Sequence, residues 1–178
     1  MKVLAICGSL RAQSSNAALL RAARAFAPPE MEIVFYDGLG DLPHFNPDLD
    51  QEGQPAPPAV ARLRSLISAS DGLVISTPEY AHGVPGALKN ALDWLVSYPD
   101  FAGKPVLLVN ASAAGGEWAQ QSIAETLTTM SARVASCSLR APFLRRKLDA
   151  RGNLSDRDAE RLLEATLASF ADVIRNSP

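Results

Sequence analysis

The chain has 178 residues, of which 47% are apolar and 20% charged, proportions that suit one soluble globular domain and exclude disordered and fibrous classes. Seventeen basic against nineteen acidic side chains leave a net charge of −2, no excess with which to neutralise a phosphate backbone, so nucleic acid is not an expected partner. Two cysteines and two histidines make neither a disulfide framework nor a structural zinc site, and free thiols fit a reducing, cytoplasmic setting.

Short apolar runs recur along the chain with helical patterns between them. Residues 3–7 (VLAIC) read as β1, 31–36 (MEIVFY) as β2, 72–76 (GLVIS) as β3 and 106–109 (VLLV) as β4. Residues 133–136 form a weaker β5 with a continuation toward Leu139. Near-continuous apolar strands suit a sheet covered on both faces. After β1, Ser14, Ser15 or Asn16 caps a helix that turns Leu19, Leu20, Ala23 and Phe26 inward. Pro58 opens a second helix before Val60, Leu63 and Ile67, and Pro85 a third before Leu88, Leu92 and Leu95. Ile123, Leu127 and Met130 keep the period of a fourth; a fifth starts at the cap Ser155 with Asp158 at its third position, then Leu163, Leu167, Phe170 and Ile174. Strand–helix alternation five times over predicts a single α/β domain over 1–178 with a parallel sheet and helices on both faces. Residues 37–58 and 140–153 remain as long loops. No apolar run approaches the roughly 20 residues of a membrane span, so no membrane partner is expected.

The chemistry collects where strands end. After β1 comes Gly8-Ser9-Leu10-Arg11-Ala12-Gln13-Ser14-Ser15-Asn16, immediately before a helix. Helix N-terminal amides attract an anion there; Ser9, Ser14 and Asn16 add short donors, and Arg11 adds a planar cation. The loop is neither a dinucleotide fingerprint nor a nucleoside-triphosphate loop, because Gly8 is its one glycine. It suits a terminal monophosphate, or alternatively a plain serine-capped turn. After β3, residues 77–86 (TPEYAHGVPG) carry two prolines and two glycines, an unusual path whose amides a flat ligand would satisfy.

Together, GSLRxxSxN after β1 and PEYxHGVPGxLKNALDWL after β3 resemble the NAD(P)H-dependent FMN reductases of flavodoxin-like fold, a family that includes quinone, chromate and azo-compound reductases. The resemblance spans residues 1 to about 130. It implies a three-layer sandwich on a five-stranded parallel sheet of order 2-1-3-4-5. It also implies FMN as cofactor, NADPH or NADH as co-substrate, and a homodimer or homotetramer. Position by position, Ser9, Arg11, Ser14, Ser15 and Asn16 would hold the FMN phosphate. Pro78, Glu79, Tyr80, Ala81, His82 and Gly83 would lie along the isoalloxazine and ribityl chain. Ser112, Ala113, Gly115 and Gly116, after β4, would meet the pyrimidine edge, with the amides of 113–116 facing its negative charge. The family usually has Asn where this chain has Ala81.

Such chemistry needs stacked rings and no protein acid or base, so no catalytic side chain is assigned. The implied activity is ping-pong hydride transfer to FMN and on to a small acceptor: a quinone, flavin, azo compound or metal oxyanion. Two other functions compete, a flavodoxin-type electron carrier without a nicotinamide site and an interaction protein that no longer uses the cofactor. Among the remaining residues, Cys7 reads as buried and inert and Cys137 the same way within a strand; Trp94 reads as packing with a subunit contact as its alternative, and Trp118 as packing with cover for the flavin or the partner subunit as its alternative. His44 reads as a surface or interface residue, and Arg145-Arg146-Lys147 as a solvated loop with the 2′-phosphate of NADPH as its functional alternative.

Overall fold

The computed structural model describes residues 1–112, 115–142, 144–149 and 153–177, the side chain of Arg145 excepted. The strands are β1 (Lys2–Cys7), β2 (Glu32–Tyr36), β3 (Gly72–Ser76), β4 (Pro105–Asn110), β5 (Arg133–Val134) and β6 (Leu139–Arg140). The helices are α1 (Ser15–Ala25), α2 (Pro58–Ser68), α3 (Gly86–Asp93), α4 (Glu117–Thr129) and α5 (Arg157–Arg175). All strand pairs are parallel, in the order β2-β1-β3-β4-β5, with β6 also on β4. The order implied by the family resemblance is therefore the one observed.

Alternation along the strands builds two cores. Val3, Ala5, Val74, Leu107 and Val109 face Leu19, Leu20, Leu167 and Phe170 of α1 and α5. Leu4, Ile6, Leu73, Ile75, Val106 and Leu108 face Leu63, Ile67, Leu88, Leu92, Ile123 and Leu127 of α2, α3 and α4. Each fully buried Leu or Ile contributes roughly 1.5–3 kcal/mol of transfer free energy, and the central strands β3 and β4 are buried along their whole length.

Several boundaries differ from the sequence expectation. The edge strand is split: β5 pairs with Pro105 and Val106, β6 with Val109 and Asn110. Four residues, 135–138, stand opposite two of β4, so the excess loops out as a bulge, and Cys137 lies in that bulge rather than in a strand. The cap of α5 is Asp156, whose Oδ1 accepts from the Ala159 amide at 2.9 Å. Ser155 instead donates its hydroxyl to the Lys147 carbonyl. Pro85 stands at the cap of α3, not inside its first turn, and the helix stops at Asp93, before Leu95. Phe26 caps the C-terminus of α1 and is half-buried.

The two long loops are partly ordered. Residues 39–41 and 47–49 form 3-10 turns, with Leu39 and Leu42 in the core. Residues 144–147 form another, and an antiparallel bridge joins Leu148 to Leu154. Lys147 meets Asp156 at 3.5 Å. Cys7 is half-buried, whereas Trp94 is fully buried, and His44 is exposed. Trp118 is not packed away but is 56% exposed. Among the described residues no helix is long and apolar enough to cross a membrane.

Candidate functional site

Chain order reverses between β1 and β3, since β2 lies on the far side of β1. In open α/β sheets the crevice beyond the strand ends at such a point is where ligands settle. Three loops converge there: residues 8–14 after β1, 77–85 after β3 and, among the described residues after β4, 111, 112, 115 and 116.

The first loop starts with a close approach. The Gly8 amide donates to the Ser76 carbonyl at 2.8 Å, and a Cβ on Gly8 would fall 2.8 Å from Thr77 Oγ1. Only glycine lets β1 and β3 finish this near one another. Ser14 is the N-cap of α1 and its Oγ accepts from the Ala17 amide at 3.3 Å. The Cys7 thiol lies 3.8 Å from the same oxygen. Ser9 Oγ accepts from the Arg11 amide at 3.3 Å, which leaves its hydroxyl proton free to donate outward. Arg11 is exposed, and Ser15 begins the helix half-buried. Asn16 is 4% exposed and acts as a brace: its Oδ1 accepts from Ser76 Oγ at 2.9 Å and from the Ala111 amide at 3.0 Å. That side chain ties all three loops together beneath the surface.

The second loop turns at Ala81-His82, both with positive φ (49° and 59°). Tyr80 and Gly83 exchange backbone hydrogen bonds at 2.9 and 3.0 Å across it, the pattern of a tight type I′ hairpin. Tyr80, Ala81 and His82 are exposed, while Pro78, Glu79 and Gly83 are half-buried. Glu79 Oε2 accepts from the Ala119 amide at 3.0 Å. It thereby caps α4 from another loop, because the cap residue Gly116 has no side chain to do so. The His82 ring stacks on Trp118, centroids 5.3 Å apart at 21°.

The third loop depends on Asn110. Its Nδ2 donates to the Thr77 carbonyl at 2.9 Å and its Oδ1 accepts from the Ser112 amide at 2.6 Å. Gly116, at φ 62°, lies so close that a Cβ would fall 2.2 Å from Asn110 Nδ2. Ser112 is half-buried. The Gly115 amide donates to the Ser112 carbonyl at 3.0 Å, so it closes its own turn rather than facing a ligand, as the sequence suggested. Ala113 lies outside the described residues.

The structure thus brings the described sequence-assigned residues of all three loops to one end of the sheet. Sequence reasoning missed Ser76, Thr77 and Asn110 as braces, although a polar residue ending an apolar strand was a usable signal. Glu79 is engaged at a helix cap and His82 in a ring stack, so the loops offer donors and flat surfaces rather than an acid–base pair. Clefts of about 520 Å³ beside Val96 and Met130 and about 770 Å³ along residues 48–58 lie elsewhere. At the strand ends, Leu10, Arg11, Tyr80, Ala81 and His82 are exposed. An FMN phosphate fits the anion end of this site: α1 points its N-terminus there, Ser9 has a free proton and Arg11 a free charge.

Over residues 1–141 the chain matches the family described as NADPH-dependent FMN reductase. It is 37% identical to an NAD(P)H-dependent FMN reductase of Pseudomonas aeruginosa over 175 residues, covering 96% of this chain and 93% of that protein. It is 34% identical to a quinone reductase of Escherichia coli over 181 residues, covering 98% and 96%. The structure of FerB, a flavoenzyme NAD(P)H:(acceptor) oxidoreductase from Paracoccus denitrificans, superposes with a TM-score of 0.88 at 28% identity, covering 99% of this chain and 98% of that one.

Proposed function

The chain belongs to the NADPH-dependent FMN reductase family, and from that membership we propose that it carries two electrons from NADPH or NADH to a quinone or a similar small acceptor. One observation carries the assignment to this end of the sheet: three loops, braced by Asn16 and Asn110, meet where chain order reverses. Bound FMN would supply the redox chemistry, receiving hydride from the nicotinamide and delivering the electrons onward. The balance is NAD(P)H plus a proton plus quinone to NAD(P)+ plus hydroquinone.

The protein's own task is to hold and to orient. Ser9, Ser14, Ser15, Asn16 and the α1 N-terminus would hold the phosphate, and Arg11 would add a charge-assisted hydrogen bond to it. The backbone from Pro78 through Glu79, Tyr80, Ala81 and His82 to Gly83 lines the ring. Ser112, Ala113 and the turn at Gly115-Gly116 border its polar edge. With Tyr80, Ala81 and His82 exposed, the second loop would leave co-substrate and acceptor access to the site in turn. Residues 1–178 act as one domain, supported by α5 packing on the same sheet as α1. Exposed Leu10 and Val96 support assembly as a homodimer or homotetramer, and two free thiols support a cytoplasmic location.

The test is an absorbance titration with FMN followed by anaerobic addition of NADPH or NADH. Bound-flavin bands that bleach with either nucleotide and return with benzoquinone are expected. A protein that leaves FMN free, or binds it without bleaching, overturns the proposal. Arg11→Ala should weaken FMN by about 1.5–3 kcal/mol, roughly ten- to a hundredfold in Kd; unchanged affinity would remove Arg11 from the phosphate.

A further inference from the structure

The chain has two tryptophans, and they live in opposite environments. Trp94 is fully buried, its Nε1 donates to the Pro43 carbonyl at 2.8 Å, and its ring meets Phe45 edge-on at 5.1 Å. Packing accounts for it completely. Trp118 is 56% exposed and its partner ring, His82, is also exposed. What sets it apart from other exposed apolar side chains is that it is stacked on a second exposed ring, centroids 5.3 Å apart at 21°.

Both rings of this pair stand on locked backbone. His82 is carried by the hairpin that Tyr80 and Gly83 close with two hydrogen bonds. Trp118 sits in the first turn of α4, next to the Ala119 amide that Glu79 holds. Glu79 and His82 belong to the same loop, so the Glu79–Ala119 bond fixes the two rings relative to each other. A flat aromatic surface is thus presented, already organised, beside the loops that line the strand-end seat. Such a surface accepts a further ring by offset stacking with little loss of conformational freedom.

We propose that the stacked Trp118–His82 pair is the wall against which a planar aromatic acceptor, such as a bicyclic quinone, docks during its reduction. The proposal rests on the oxidoreductase function given above and adds a determinant of acceptor choice. Trp118 contributes its face and His82 fixes the tilt of that face. A compact inorganic acceptor, which cannot stack, gains nothing from it.

The test compares 1,4-naphthoquinone with ferricyanide as acceptors for the FMN-loaded enzyme and its Trp118→Ala and Trp118→Phe variants. Trp118→Ala should raise KM for naphthoquinone about tenfold with kcat little changed. Ferricyanide reduction should stay the same, and Trp118→Phe should restore most of the naphthoquinone KM. Equal losses with both acceptors, no change with naphthoquinone, or failure of Phe to rescue would each overturn the wall. So would a change in solution mass that accompanies the loss, because Trp118 would then be a subunit contact. A wild-type holoenzyme unable to reduce either acceptor overturns the oxidoreductase function itself, an outcome distinct from these.

Discussion

Ala81 occupies the first central position of the hairpin with φ 49°. An L-residue with a Cβ costs about 1 kcal/mol there, while asparagine tolerates the left-handed region well. The family resemblance leads one to expect Asn at this position, and the left-handed backbone at Ala81 supplies a physical reason for that expectation. Ala81→Asn should therefore stabilise the apoprotein by about 0.5–1 kcal/mol, read as a higher urea midpoint at unchanged slope. A lower midpoint would show that the turn does not hold the Ala81 strain. Residue types in the site were legible in the sequence wherever a motif named them, as at Ser9, Arg11 and the PEY run. Their division of labour was not. Asn16 looked like a ligand donor alone, and its Oδ1 also braces the loops, because burial and the Ser76 and Ala111 partners are set by tertiary contact. Asn110 and Gly116 interlock for the same reason, and no local pattern announces a Cβ that would sit 2.2 Å from a neighbour 6 positions away.

Elements with strong periodicity were legible almost to their ends; the weak ones were not. The strand after α4 breaks because 135–138 outnumber the β4 residues opposite them, a mismatch visible only once register is known. The α5 cap moved one residue because Asp156 and Ser155 compete and either type suffices. The start of α4 was the least readable, since its cap comes from Glu79, 40 positions earlier. That contact makes a helix terminus depend on a loop. Glu79→Ala should cost about 1 kcal/mol, the ordinary loss of a helix cap, and should also free the second loop from α4. Glu79→Gln keeps an accepting oxygen and should retain most of that stability. Equal urea midpoints for wild type and Glu79→Ala would show that water replaces the carboxylate at no cost.

Across the whole molecule, the parallel sheet alone does not secure the 37–58 segment; a polar cluster does. Asn90 and Trp94 both donate to the Pro43 carbonyl, at 2.9 and 2.8 Å. The Arg64 guanidinium donates to the Trp94 carbonyl at 2.6 Å and to Asp50 Oδ2 at 2.9 Å, and the Ser97 hydroxyl also donates to Asp50. Asp50 thus joins the long loop to α2 and to the segment after α3. Its side chain is 10% exposed and that of Arg64 14%, so this pair is screened less than a surface pair. The Arg64 hydrogen bond, against a smaller opposing effect of burial and with a lesser contribution from Ser97, holds the Asp50 carboxyl below its usual range. A carboxyl with a lower pKa folded than unfolded adds stability above the unfolded value, about 4, and loses it as pH falls through the folded value. Asp50→Asn mimics the protonated acid in shape and hydrogen-bonding capacity. It should cost about 1–2 kcal/mol at pH 7, the difference between a charge-assisted and a neutral set of bonds. The gap to wild type should persist down to about pH 5 and then close between pH 4 and the point where Asp50 is protonated in the folded chain. Urea denaturation of both proteins at neutral, mildly acidic and strongly acidic pH measures it. A gap of constant size across that range would mean that Asp50 acts through shape and not through its charge on Arg64.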